Sequence, residues 1–269
     1  MKVDQRLFWL LFTACLSASA PAKSAPSDQP RDLSLFLLIG QSNMSGRGVI
    51  EPQDRVPIPG IYKLNSGSRW VPATDPLNSD VPKRVGVGPG REFARAVLRE
   101  RPGEPIGLLS AAVGGTTLNQ WGAEGRFYKR AVRMLKHGQK SGTLRAILWH
   151  QGESDAASSA EHARTYARRW VALMQRLRQD AGCPDVPIIV GTLGDFVKRP
   201  HAKIINTQLQ RVPTMLDNVV LVSSEGLRDG GDGLHFDSRS QRTLGRRFAA
   251  AYLALPIPTC GSEIRRSAH

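Results

Sequence analysis

Cysteine is scarce in this chain, with three among 269 residues. No C-x-x-C pair and no H-E-x-x-H segment occurs, so the usual thiolate and helical zinc signatures are missing. Aromatic residues make up only 6%, with no basic–aromatic stripe of the kind that stacks unpaired bases. Acidic residues are outnumbered, 23 against 37 basic ones. After the first 25 residues no stretch is apolar enough to span a bilayer, which points away from stable membrane insertion.

The one apolar run, "LFWLLFTACL" (7–16), is itself too short to span. It follows the basic "MKVDQR" and precedes the small residues "SASA", the three-part form of a secretory signal. Residues 1–25 are therefore expected to be an export signal, cleaved after Ala20 or Ala25, and the rest to be secreted or periplasmic. Losing Cys15 would leave Cys183 and Cys260, which an oxidising compartment allows to pair; a disulfide and two free thiols both stay open.

The formal charge of +14 favours anionic partners. The arginines scatter over helical faces such as "RTYARRWVALMQRLRQ", and the reading is a solvated surface. An anionic polysaccharide setting is a secondary inference, and a nucleic-acid partner is not expected. With 41% hydrophobic and 22% charged residues, composition is globular, and 26–269 reads as one domain with its core in 33–255.

Five apolar runs have strand character: "LSLFLLI" (33–39), "PIGLLSAAV" (105–113), "LRAILWH" (144–150), "PIIVGTL" (187–193) and "NVVLVSS" (218–224). They are near-continuous rather than alternating, as for strands buried on both faces. Helical patterns separate them at 91–100, 125–139, 161–182 and 201–212, the last ending at Pro213, and a final helix spans 237–255. Such alternation predicts an α/β fold with a parallel sheet, whose ligands sit at the carboxyl ends of the strands. Residues 46–88, rich in Pro, Gly and Asn, read as a long loop over those ends.

Polar residues follow four of the five runs. "IGQSNMSGRG" places Ser42 after the first, "AAVGGTTLNQW" places Gly114 and Gly115 after the second, and "HQGESD" (150–155) follows the third. "DGGDGLHFD" comes after the last, with Asp232 and His235 three apart. Acyl transfer needs a hydroxyl, an imidazole base and a carboxylate to orient it, with N–H donors for the oxyanion. Ser42, His235 and Asp232 supply the first three. Ser45 is a weaker rival because it lies further from the strand end, and Asp229 and Asp237 compete with Asp232. His150, Glu153, Asp155 and His162 lack a metal-ligand spacing, His162 being expected on a helix away from the others.

Taken together, "IGQSNMSGRG", "VGGTTLNQW", "LWHQGESD" and "DGLHFDSRSQRTLGRRFA" resemble the SGNH (GDSL-like) hydrolase superfamily over roughly residues 33–255. The resemblance is to its carbohydrate O-acetylesterase branch, with the sialate O-acetylesterase-like domains and the acetylxylan esterases of carbohydrate esterase family 6. It implies a three-layer α/β/α sandwich with a mostly five-stranded parallel sheet and neither metal nor cofactor. It implies Ser42 as nucleophile, His235 as base and Asp232 as its partner. Oxyanion donors would be the Ser42 N–H, Gly114 with Gly115 as fallback, and the Gln151 amide. Glu153 would brace its loop, Asn43 and Asn119 would orient the Ser42 loop, and Trp121 would either line the acyl or sugar pocket or simply pack. The expected partner is an acetylated carbohydrate. The alternatives are an esterase or lipase on non-sugar acyl esters, and a non-catalytic carbohydrate-binding protein on the same fold. Oligomeric state is left open.

Overall fold

All eight residues of the central strand, β1 (Leu33–Gly40), are buried. Side chains alternate along a strand, so Leu33, Leu35, Leu37 and Ile39 enter one core while Phe36 and Leu38 enter another. That double burial is why the run reads as continuously apolar. The computed structural model describes residues 29–78 and 84–256. The expected export signal, Cys15 and Cys260 lie outside these residues.

Around β1 run β2 (Ile61–Leu64), β3 (Trp70–Pro72), β4 (Ile106–Ser110), β5 (Gly142–His150), β6 (Ile188–Gly191) and β7 (Val219–Val222), in the order β3-β2-β4-β1-β5-β6-β7. Every neighbouring pair is parallel except β2–β3. On one face lie α3 (Arg126–Gly138), α4 (Ala160–Arg164), α5 (Tyr166–Ala181) and α6 (Ala202–Met215). The other face is covered by α2 (Pro89–Glu100) and α7 (Ser238–Leu253). There Phe36 meets Phe93 and Tyr252 edge-on, with ring centroids 4.8 and 5.0 Å apart. Such pairs add about 0.5–1.5 kcal/mol each beyond their burial. Among the described residues no helix is long and apolar enough to cross a membrane.

Three expectations change. The sheet has seven strands, not five, because residues 46–88 are more than a loop: β2 and β3 extend the sheet beyond β4. Only Ile61, Leu64 and Trp70 among these two strands are buried, and turn residues separate the strands, so their periodicity is too short to read. The helix expected over 161–182 breaks at Thr165, whose hydroxyl bonds back to His162 O (3.1 Å), and becomes α4 and α5. Pro213 does not end α6, which runs on to Met215. A proline so near the helix end removes one backbone bond, and the Leu216 N–H closes the turn on Val212 O. Cys183 is buried and disulfide-bonded.

The excursion before α2 is pinned by buried carboxylates. Asp54 accepts from Arg242 of α7 at 2.6 and 3.3 Å. Asp75, 4% exposed, sits beside this group, and its carboxyl is pushed up to about 7. Burial is the main cause; Arg91 opposes it and Asp54 adds to it. A carboxyl that holds its proton more tightly when folded favours the fold most below the unfolded value of 3.8, and that benefit is lost as pH rises to about 7. Asp75→Asn should match wild type in stability near pH 4 and exceed it above pH 7, on the order of a few kcal/mol. Urea unfolding of both proteins across this range checks it; parallel curves would reject the shift.

Candidate active site

β1 runs straight into α1 (Ser42–Ser45), so Ser42 stands at the first helical position at the carboxyl edge of the sheet. The turn between them is tight: Gly40 has φ +129°, and the Gln41 N–H donates to His150 O of β5 (2.9 Å). As the first helical residue, Ser42 has no intrahelical acceptor for its own N–H.

The Ser42 Oγ lies 2.9 Å from His235 Nε2, and His235 Nδ1 lies 2.6 Å from Asp232 Oδ2. With Nδ1–H donating to the carboxylate, Nε2 turns its lone pair to the hydroxyl. Asp232 Oδ1 accepts the backbone N–H groups of Leu234 (2.9 Å) and His235 (2.8 Å), which folds the Asp-x-x-His loop back on itself. Partial burial raises the Asp232 carboxyl, but these bonds from His235 and Leu234 outweigh it and hold it below the usual range.

Asn43 fastens the two loops together. Fully buried, it donates from Nδ2 to Glu153 Oε1 (2.6 Å) and to Leu234 O (3.1 Å), and its Oδ1 accepts from Phe236 N–H (3.1 Å) and Gln241 Nε2 (3.4 Å). Glu153 thereby braces the loop after β5. The rivals are engaged elsewhere. The Ser45 hydroxyl donates to Ser42 O, Asp229 accepts from Gly233 N–H, and Asp237 caps α7 by accepting from Ser240 N–H.

A cavity of about 890 Å³ opens over this arrangement, lined by Ser42, Gly114, Gly115, Glu153, Asp232 and His235 among others. Three expectations for the site change here, and of the two readings open for Trp121 the packing one holds. Gln151 does not line the cavity: it is fully buried, and its amide donates to Thr116 O (2.8 Å) and Asp155 Oδ2 (2.6 Å), which uses both hydrogens. Asn119 is drawn away from the Ser42 loop by Arg169, whose Nη1 donates to it at 2.8 Å. Trp121 is a packing residue, 1% exposed between Trp149 and Phe127, with its indole N–H on Thr116 Oγ1 (2.9 Å). His162, expected apart, reaches Asp155 Oδ1 at 2.6 Å, since the short α4 brings it back over the loop.

The HQGESD segment carries a second network. His150 is fully buried, its Nε2–H on Thr192 O (3.0 Å) and its Nδ1 3.6 Å from Glu153. Burial pushes the imidazole down, partly opposed by Glu153, so it is kept neutral. Asp155 accepts from Leu118 N–H (2.8 Å) and Gln151, tying the loops after β4 and β5. Arg47, Arg84 and Arg199 also line the cavity and were not singled out from the sequence. Arg199 follows β6, and the strand-end rule, applied to the fourth run as well, would have flagged "DFVKRP".

This seven-stranded α/β/α sandwich is a fold shared with solved structures that include a GDSL-like protein. The crystal structure of NanS is similar at TM-score 0.69 and 20% identity, covering 84% of this chain and 98% of that one. A putative GDSL-like lipase from Parabacteroides merdae is similar at TM-score 0.54 and 13% identity, covering 84% and 99%. The family described as carbohydrate esterase, sialic acid-specific acetylesterase, matches residues 32–254, and the chain belongs to that family. A probable carbohydrate esterase of Arabidopsis thaliana is 35% identical over 242 residues, covering 82% of this chain and 90% of that one. A solved structure of an Arabidopsis thaliana protein is similar at TM-score 0.77 and 32% identity, covering 82% and 98%.

Proposed function

We propose that this carbohydrate esterase is a serine hydrolase that removes O-acetyl groups from sugar hydroxyls. The observation that carries the reading is the unbroken chain from Ser42 Oγ through His235 to Asp232, open to a cavity wide enough for a sugar unit. Ser42 Oγ attacks the acetyl carbonyl carbon and passes its proton to His235 Nε2. The carbonyl oxygen becomes an oxyanion facing the Ser42 N–H and the Gly114–Gly115 backbone. As the C–O bond to the sugar breaks, His235 returns the proton to the departing sugar oxygen. Water then attacks the acetyl-Ser42 ester with His235 again as base, and acetate leaves. Asp232 stays ionised, keeps the imidazole in one tautomer and favours its charged form.

Membership of the family supports the substrate class. The test is acetate release from acetylated sialate, acetyl-xylan and other acetylated glycans, beside a series of p-nitrophenyl esters. A sugar deacetylase should prefer acetyl to butyryl and longer groups. Faster turnover of long acyl chains would favour a lipase, and binding of glycans with no acetate released would favour a non-catalytic binder.

Asp232 is the more exposed partner, with a side chain 53% accessible. Asp232→Asn should lower kcat by between about 10² and 10⁴, at or below the usual loss for this position, because water reaches the imidazole. Stopped assays on an activated acetyl ester would show it. Export through the N-terminal segment is part of the same proposal, and cell fractionation with sequencing of the mature N-terminus tests it.

A further inference from the structure

A second cavity, of about 830 Å³, lies between α3 and the β2–β3 hairpin, and none of its lining residues lines the cavity around Ser42. Its wall carries Lys63, Arg130, Arg133, Lys136, His137 and Lys140. Among the described residues no Asp or Glu lines it. Positions 133, 136, 137 and 140 recur at helical spacing, which sets them on one side of α3 and its exit. Like charges at that spacing repel. Within the described residues, no carboxylate lies within 4.0 Å of the Arg133, Lys136 or Lys140 cation.

The floor of this cavity is fixed and its rim is not. Lys63 Nζ donates to Thr74 O (2.7 Å) and Pro76 O (2.8 Å), and Arg130 donates to Ala111 O (2.7 Å). Arg133, Lys136 and Lys140 are exposed at the mouth. Opposite them the hairpin offers the amide of Asn65 and the hydroxyls of Ser66 and Ser68. Cations facing amides and hydroxyls across a concave, partly apolar floor suit a ligand that carries both carboxylates and hydroxyl groups. Among the described residues no Phe, Tyr or Trp lines the cavity, so the broad stacking platform that suits unpaired bases is missing.

We infer that this second cavity is a non-catalytic site for an acidic polysaccharide, holding carboxylate-bearing sugar units at the Arg133–Lys136–Lys140 rim. It accounts for part of the +14 charge that catalysis leaves unused. The inference concerns binding alone and stands whether or not Ser42 is the nucleophile.

The test titrates the full-length protein calorimetrically with an unacetylated oligogalacturonate, a neutral xylo-oligosaccharide and an oligothymidylate of equal charge. The uronate should bind, the neutral sugar should not, and added salt should weaken the complex. Arg133→Ser with Lys136→Ser should weaken uronate binding about tenfold or more, as expected when charge-assisted bonds are lost. Lys203→Ser with Arg211→Ser on α6 makes the same change in net charge and should leave it within about twofold. Melting temperatures report whether each pair of substitutions leaves the fold intact, and Lys136→Gln alone is the milder variant. Absence of uronate binding would overturn the inference. Equal losses in both double variants would reduce the effect to net charge and overturn it too. Tighter binding of the oligothymidylate, with displacement of the uronate, would assign the cavity to nucleic acid instead.

Discussion

Ser42→Ala should lower acetate release by between about 10⁴ and 10⁶, the range seen when a serine nucleophile is removed from such a constellation. The hydroxyl bonds only to His235 Nε2 among the described residues, so its loss should leave the fold and its melting temperature nearly unchanged. Binding of an acetylated sugar should survive as well, since the Ser42 backbone and the glycines at 114 and 115 remain in place. The combination of retained binding and lost turnover separates chemistry from unfolding. Rates within tenfold of wild type, on a preparation free of contaminating esterase, would remove Ser42 from the mechanism.

Gly40→Ala should damage both stability and activity. At φ +129° the backbone is in a region that side chains rarely adopt, and an added Cβ would stand 2.1 Å from His150 O. That carbonyl also accepts the Gln41 N–H that sets the turn before Ser42, so β1 and β5 would have to part at the point where the hydroxyl is aimed. A loss of about 4 kcal/mol or more is expected, the large end for one substitution, together with loss of turnover. Gly115→Ala is the contrast. Its φ is +73°, but nothing lies within 4 Å of the added carbon, and a cost of about 1–2 kcal/mol is expected. Urea unfolding of the two variants side by side gives the comparison; similar losses would show that steric contact at Gly40 is not what matters.

The layer order was legible because strands buried on both faces leave long apolar runs, and the candidate site was legible because polar residues follow four of the five runs. Asp232 and His235 are three apart, so one local turn joins them, and Ser42 stands just past its strand; both are features that sequence can show. Gln151 was not legible in the same way. Whether an amide points into a cavity depends on Thr116 and Asp155, which are distant in sequence, and on which hydrogens they have already claimed. His162 was misplaced because α4 is only five residues long, and the two readings of Trp121 stayed open because Thr116, Trp149 and Phe127 converge on the indole only after folding. The strands of residues 46–88 were hidden because strands of three and four residues hold too few buried positions to set a period.

Ser42 and His235 meet across 193 positions, and Asn43 reaches 198 positions to Gln241. The contact between them therefore cannot form on a growing chain until residue 235 has left the ribosome. A product truncated before His235 would keep the hydroxyl, the turn that holds it and most of the sheet, yet have no base beside it. On the proposed mechanism such a fragment would leave Ser42 without its base, and turnover would require the chain at least through residue 235.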